Sequence, residues 1–289
     1  MAARAFLIAC LVLLLVGPAF ADCADEYYQG AAPRVSQNAA AQNATQNAAQ
    51  YATSEVRELC YDDFTVGHSP LTHTPLWSAE HLTANEIDAA AALDRRDAFH
   101  AEASLPHSER AELIDYRRSG YDRGHMAPSG DMPTAHAQAQ SFTLANMVPQ
   151  AASLNRGLWE EIEVAVREMA ETEGELFIVT GPIFDADGAS LNGRVRVPRA
   201  LFKAVYDPRR RQAAAYVADN AAGARYRVIS IAQLAAMIGF DVFPSLPVSI
   251  KARAADLPAP DGRGRRASAQ TAARNREPTA GRILAAVSR

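Results

Sequence analysis

Cysteine is scarce: the chain of 289 residues has three, and glycine and proline number only 16 each. Three cysteines cannot staple a disulfide-dense miniprotein, and so few glycines cannot supply a collagen-like repeat. An excess of positive charge is also missing, since 29 Lys and Arg face 33 Asp and Glu, a formal net of -4. That balance argues against a broadly basic nucleic-acid binder, which displays surplus Lys and Arg. What is present is 48% apolar residues, enough to exclude a wholly disordered chain and to bury a sizeable core.

The two ends read differently from the middle. The apolar run Ala5 to Val16 is too short for a comfortable bilayer span, and Gly17-Pro18 breaks it. With Arg4 ahead of it and Ala19-Phe20-Ala21 behind, residues 1–21 read as a secretory signal peptide. The mature chain then begins near Asp22, and the expected location is periplasmic or secreted. Cys10 leaves with the signal. Cys23 and Cys60 remain, and an oxidising compartment predicts a disulfide between them. Residues 22–59 form an Ala/Gln/Asn-rich arm, and 252–289 a basic tail whose low apolar content predicts disorder. One domain, 60–251, lies between.

Within it, periodicity predicts a mixture of helix and strand. Strands are expected at Asp62 to Val66, Leu76 to Ala79, Glu175 to Thr180, Ala200 to Tyr206 and Ala213 to Val217. Helices are expected at Thr83 to Leu93, Leu154 to Thr172 and Ser230 to Ile238, the last closed by Gly239.

One segment concentrates chemistry. Asp122-Arg123-Gly124-His125, bounded by Gly120 and Pro128, reads as a loop that holds an imidazole beside a guanidinium. His is the usual general base near neutral pH, and Arg is the usual fork for phosphate. Four residues alone describe a turn with a hydrogen-bonded His equally well. Asn146 follows in Asn146-Met147-Val148-Pro149-Gln150, and Asn155 in Leu154-Asn155-Arg156-Gly157-Leu158-Trp159. Glu163 lies two helical turns beyond Asn155, on nearly the same helix face. An amide and a carboxylate make a sparse oxygen site, poor for Zn²⁺ and suited to Mg²⁺, which keeps several of its waters.

In order and spacing these motifs resemble the DNA/RNA non-specific endonuclease family. These are the ββα-metal nucleases, which include the Serratia-type nuclease and endonuclease G. The likeness runs from about Leu59 to Leu246 and includes Val179 to Pro182 at a strand end. It implies an α+β, His-Me finger fold: a mixed or antiparallel sheet, flanking helices and a metal-ligand helix. It also implies an exported, Mg²⁺-dependent endonuclease acting on DNA and/or RNA, with Mn²⁺ as a substitute ion and 5′-phosphate products. His125 would be the general base, Asn155 the direct metal ligand, and Glu163 would hold a metal-bound water. Asn146 would orient His125 or the metal helix, and Arg123 would support the phosphate. An upstream phosphate arginine maps to Arg96, with Arg95 as the alternative. A homodimer and an inhibitor protein are further partners that the family leaves open.

Other residues have plainer readings. Trp159 is expected in the core, and Tyr121 and Met126 to pack beside the motif. Asp185 to Gly188 resembles part of a calcium loop and is expected to be a turn. His68, His73, His81, His100, His107 and His136 lack zinc-type spacing, and Asp131 is a candidate partner behind the site.

The net charge conceals a split. Nine basic and three acidic residues lie from Lys251 onward, and one basic residue lies in the signal, which leaves 19 basic against 30 acidic in residues 22–250. Phosphate affinity must then come from a metal ion and a few placed arginines, with Arg194, Arg196, Arg199 and Arg209 to Arg211 as a candidate patch. Two rival functions remain: a metal-dependent phosphoesterase on small nucleotides, and a catalytically inactive nucleic-acid-binding protein.

Overall fold

Alternating apolar residues in the middle of the chain pair into a seven-stranded sheet, antiparallel throughout. The structure, a computed structural model, describes residues 23–35 and 55–260. After a two-residue strand β1 (Arg34–Val35) come β2 (Arg57–Cys60), β3 (Thr65–Ser69) and β4 (Thr74–Thr83). Helix α1 (Ala84–Ala91) follows directly, because Thr83 and Glu86 form a reciprocal capping box. The short helix α2 (Leu113–Tyr116), strand β5 (Tyr121–His125), helix α3 (Ala135–Ser141) and strand β6 (Met147–Ala151) form the middle section. A π-helical turn, Leu154–Leu158, then leads into α4 (Trp159–Glu173).

The rest of the sheet is β7 (Glu175–Ile183), β10 (Ala200–Asp207), β11 (Gln212–Asp219) and β12 (Tyr226–Ile229), with the short pair β8 (Ser190–Leu191) and β9 (Val195–Arg196) between. Helix α5 (Ile231–Ile238) starts at the Ser230 capping box and ends at Gly239, whose φ of 77° is left-handed and suits glycine. A final strand β13 (Phe240–Asp241) pairs with β1.

Period-two alternation sends each strand's side chains to both faces. On β10, Phe202, Ala204 and Tyr206 pack towards α5, while Leu201 and Val205 pack towards α4. The α4 stripe of Trp159, Ile162, Val166 and Ala170 fills that second core. A polar row crosses the same face of the sheet. Ser78 and Lys203 both lie opposite Thr180, and the fully buried Lys203 donates to Thr180 Oγ1 at 2.9 Å.

Three expectations shift. Asp122–His125 is a strand rather than a loop, since it pairs residue for residue with β6. The arm ends earlier than expected, because Arg57 to Cys60 already belong to the sheet. At the other end, residues 252–260 lie against the domain: Ala255 donates to the Ala213 carbonyl and the Tyr216 hydroxyl to that of Pro258. The expected signal peptide, most of the arm and the tail beyond residue 260 lie outside the described residues. Cys23 and Cys60 are bonded as a disulfide. Among the described residues no helix is long and apolar enough to cross a membrane.

Candidate active site

The hairpin β5–β6 and the helix that follows build the site. Gly120, at φ 83°, turns the chain into β5. Along the hairpin Asp122 faces Gln150, Gly124 faces Val148 and His125 faces Met147. The buried Gln150 side chain crosses Gly124 so closely that a Cβ there would meet Gln150 Oε1 at 1.9 Å. Only glycine leaves that room, which explains the third position of the motif.

Asn146 fixes the end of the hairpin. Its Oδ1 accepts from Ser78 Oγ at 2.9 Å and from the Ala127 backbone N–H at 3.0 Å. Its Nδ2 donates to the carbonyls of Ala127 at 2.8 Å and Ser141 at 3.0 Å. The side chain is sealed from solvent and does not line the cavity described next. Its part is therefore to position the chain just after His125, through four hydrogen bonds.

A cavity of about 750 Å³ opens beside the hairpin. Its wall brings together His125, Arg123, Asn155 and Glu163. Arg95 stands in that wall and Arg96 does not. Arg95 donates to Asp97 and Ser129 and lies over the Phe142 ring. Arg96 contributes its backbone N–H to Gln138 instead. Arg117, Arg156 and Arg167 complete the cationic lining, and sequence reasoning had singled out none of them. Their signal lay only in position: Arg117 precedes the motif loop, Arg156 follows the metal-candidate Asn155, and Arg167 lies one helical turn beyond Glu163. None of the anticipated patch lines this cavity, and all of it but Arg211 is engaged elsewhere. Arg194 pairs with Asp115, Arg196 holds the carbonyls of the 185–188 turn, Arg199 pairs with Asp185, and Arg209 and Arg210 pair with Glu173.

His125 is wedged between aromatic rings, with centroids 4.9 Å from Phe142 and 5.8 Å from Phe99. Its Nε2 is buried without a hydrogen-bond partner. Burial, reinforced by the Arg95 and Arg123 charges, pushes the imidazole down to about 3. The ring is therefore neutral at physiological pH, and a neutral imidazole has one nitrogen lone pair able to accept a proton. Arg123 lies 3.8 Å over the Phe99 ring.

On the helical wall, Asn155 Nδ2 donates to Asp122 Oδ2 at 3.0 Å, and Arg156 grips both oxygens of the same carboxylate. Burial would raise the Asp122 carboxyl, yet the Arg156 and Asn155 hydrogen bonds hold it below its usual range. The contact also settles the Asn155 amide, because only its NH₂ can donate to a carboxylate. The amide oxygen is thereby left for another partner. Enclosure raises Glu163 to about 7 against the pull of Lys203 and Arg167, with Asp131 and Glu160 adding to the rise. Arg167 in turn donates to the buried Asp131 at 2.6 Å, so Asp131 does stand behind the site.

This donor set fits a hard cation of low protein coordination. Among the described residues no three His, Cys, Asp or Glu gather as a ligand cluster. A free amide oxygen and a carboxylate in one cavity match an ion that retains water. The remaining histidines are packed or at the surface, and Trp159 is a core residue.

Comparison with known proteins agrees with this geometry. Nuclease C1 of Cunninghamella echinulata var. echinulata is 32% identical over 160 residues, 51% of this chain and 64% of that protein. Mitochondrial nuclease EXOG of Danio rerio is 32% identical over 208 residues, 64% of this chain and 60% of the relative. Mitochondrial endonuclease G of Caenorhabditis elegans is 31% identical over 178 residues, 56% and 58% of the two chains. The chain thus spans roughly three fifths of the length of these relatives. A crystal structure of the EndoG/EndoGI complex matches with a TM-score of 0.55 at 25% identity, covering 70% of this chain and 91% of that one. The α+β, ββα-metal architecture is therefore shared. The expected periplasmic or secreted location does not stand, because EXOG, endonuclease G and a Saccharomyces cerevisiae relative are mitochondrial nucleases by name. The model of the DNA/RNA non-specific endonucleases matches residues 37–249, and the chain belongs to that family.

Proposed function

We propose that the chain is a metal-dependent endonuclease that hydrolyses phosphodiester bonds of DNA and RNA. The observation that carries this reading is the unpartnered Nε2 of His125, set in one cavity with Arg123 and the free amide oxygen of Asn155. Nε2 takes a proton from a water that attacks the scissile phosphorus, and the 3′-oxygen leaves, giving a 5′-phosphate end. Arg123 and Arg95 hold the phosphate oxygens and oppose the charge that develops on them. Asn155, with Glu163 on its water, would hold one Mg²⁺ or Mn²⁺, which supplies Lewis-acid neutralisation of the phosphate and leaving oxygen. Asp122 keeps the Asn155 amide turned the right way. Asn146 positions the hairpin end without touching substrate.

The similar solved structure is named for EndoG inhibition, which supports an inhibitor protein as a partner of this chain as well. The test is incubation of plasmid DNA, single-stranded DNA and RNA with Mg²⁺, Mn²⁺ and EDTA. Polymer cleavage in Mg²⁺ that EDTA stops is the expected result. Intact polymers alongside hydrolysis of a small nucleotide ester would favour the phosphoesterase instead. Binding without any hydrolysis would favour an inactive binder.

A further inference from the structure

We propose that the segment Leu113 to Arg117 is a subsite for the nucleotide next to the scissile phosphodiester, with Arg117 and the Tyr116 hydroxyl on its phosphate and Leu113 against its sugar or base. The inference rests on the nuclease reading of the cavity and adds residues outside the family motifs. All three side chains line the same cavity as His125 and Asn155. Tyr116 is 94% buried, and its hydroxyl has no hydrogen-bond partner. A buried hydroxyl left unpaired is unfavourable, and a ligand oxygen would relieve it. The hydroxyl lies within electrostatic reach of Asp115, itself paired with Arg194, and of Arg123, which ties this wall to the phosphate side of the cavity.

Arg117 is exposed and, among the described residues, has no carboxylate partner, whereas Arg95, Arg156 and Arg167 are paired with Asp97, Asp122 and Asp131. A free guanidinium at a cavity wall is a ready phosphate contact. Leu113 and Ile114 are 45% and 55% exposed, unusual for large aliphatics beside a cationic cavity. An apolar contact beside a phosphate contact is the pattern of one nucleotide, sugar or base on one side and backbone charge on the other.

The test is equilibrium binding of a fluorescent single-stranded oligothymidylate of about twelve residues, in EDTA so that it is not cut. Arg117→Gln should weaken binding about tenfold and flatten the slope of log affinity against log salt by about 0.7, one phosphate contact fewer. Tyr116→Phe should weaken binding several-fold with thermal stability unchanged, since the lost hydroxyl has no partner within the protein. Leu113→Ser should weaken binding and leave the salt slope alone, because an apolar contact releases no counterion. Wild-type affinity and slope in both Arg117→Gln and Tyr116→Phe would overturn the subsite. Its failure is separable from that of the nuclease reading: uncut polymers in Mg²⁺ overturn the enzyme, whereas cut polymers with unaltered variant binding overturn only the subsite.

Discussion

At His125 the unpartnered Nε2, the flanking phenyl rings and the two arginines act together. Burial beside the rings disfavours the charged ring, and the two arginines add repulsion, so the imidazole stays neutral. Replacement by Ala should lower cleavage of plasmid DNA by about 10²- to 10⁴-fold, the usual worth of a general base, and lower the unfolding midpoint as well, since the packed imidazole leaves a gap between the rings. A turnover within a few-fold of wild type would remove His125 from the mechanism. Gly124 has the opposite profile, touching no substrate in this scheme. Gly124→Ala forces a methyl onto Gln150 and should destabilise the fold by about 1–3 kcal/mol, seen as a lower midpoint in urea. At this scale the sequence was most legible where the chemistry is contiguous. Asp122 to His125 announce themselves in four letters. Arg117 and Arg167 do not, and Arg95 stood there only as the alternative to Arg96, because only the folded chain decides which of many arginines face one cavity.

Among the elements, the site hangs from the sheet through buried polar contacts. Ser78 on β4 holds Asn146, and Thr180 on β7 holds Lys203, whose Nζ lies 3.9 Å from the buried Glu80. Burial drives the Glu80 carboxyl well above its usual range despite Lys203. Neighbouring β3 carries a buried His68, whose ring Nε2–H donates to the Glu109 carbonyl at 2.8 Å while Nδ1 is bare. Burial lowers this imidazole to about 4, against about 6.5 when unfolded. The unfolded chain therefore gains a proton below pH 6.5 that the native strand refuses until about pH 4. Stability present above pH 6.5 is lost across that window, by about 3 kcal/mol. Urea titrations at pH 7 and pH 4.5 should show the loss, and His68→Asn should shrink the difference between the two. An equal difference in the variant would assign the acid sensitivity to other groups.

The end of α5 was legible from Gly239, while the capping boxes of Thr83 with Glu86 and Ser230 with Gln233 fix the helix starts in the folded chain. Strand β5 was not, since Tyr-Asp-Arg-Gly-His has no alternation to show and becomes a strand only by pairing with Met147–Ala151. Nor was the π turn at Leu154–Leu158 foreseen, where helical periodicity alone predicts an ordinary helix start.

For the whole molecule, the acidic body and the cationic cavity coexist because charge is sorted by position. Five arginines line the cavity against Asp97, Asp122, Glu160 and Glu163. The net charge of -4 carried no trace of that sorting. The disulfide works at the same scale. Cys23 and Cys60 are 37 residues apart, and closing such a loop stabilises by about 3–4 kcal/mol in the chain-entropy model. Reduction, or Cys23→Ser, should lower the urea midpoint accordingly. An unchanged midpoint would show that docking of Tyr27 and Tyr28 on the core suffices without the covalent link. The pairing itself was readable from a count of cysteines, whereas the docking was not, because two tyrosines in a polar stretch give no sign of which face they will cover.

That same bond makes the chain topologically a ring with a long tail. A protease that cuts once anywhere between Cys23 and Cys60 opens the ring without releasing a fragment. The product should run as one band on a non-reducing gel, with a mass greater by one water, and separate into two pieces only after a thiol is added. Under oxidising conditions only that one added water, and not the loss of any fragment, would then mark a nicked molecule.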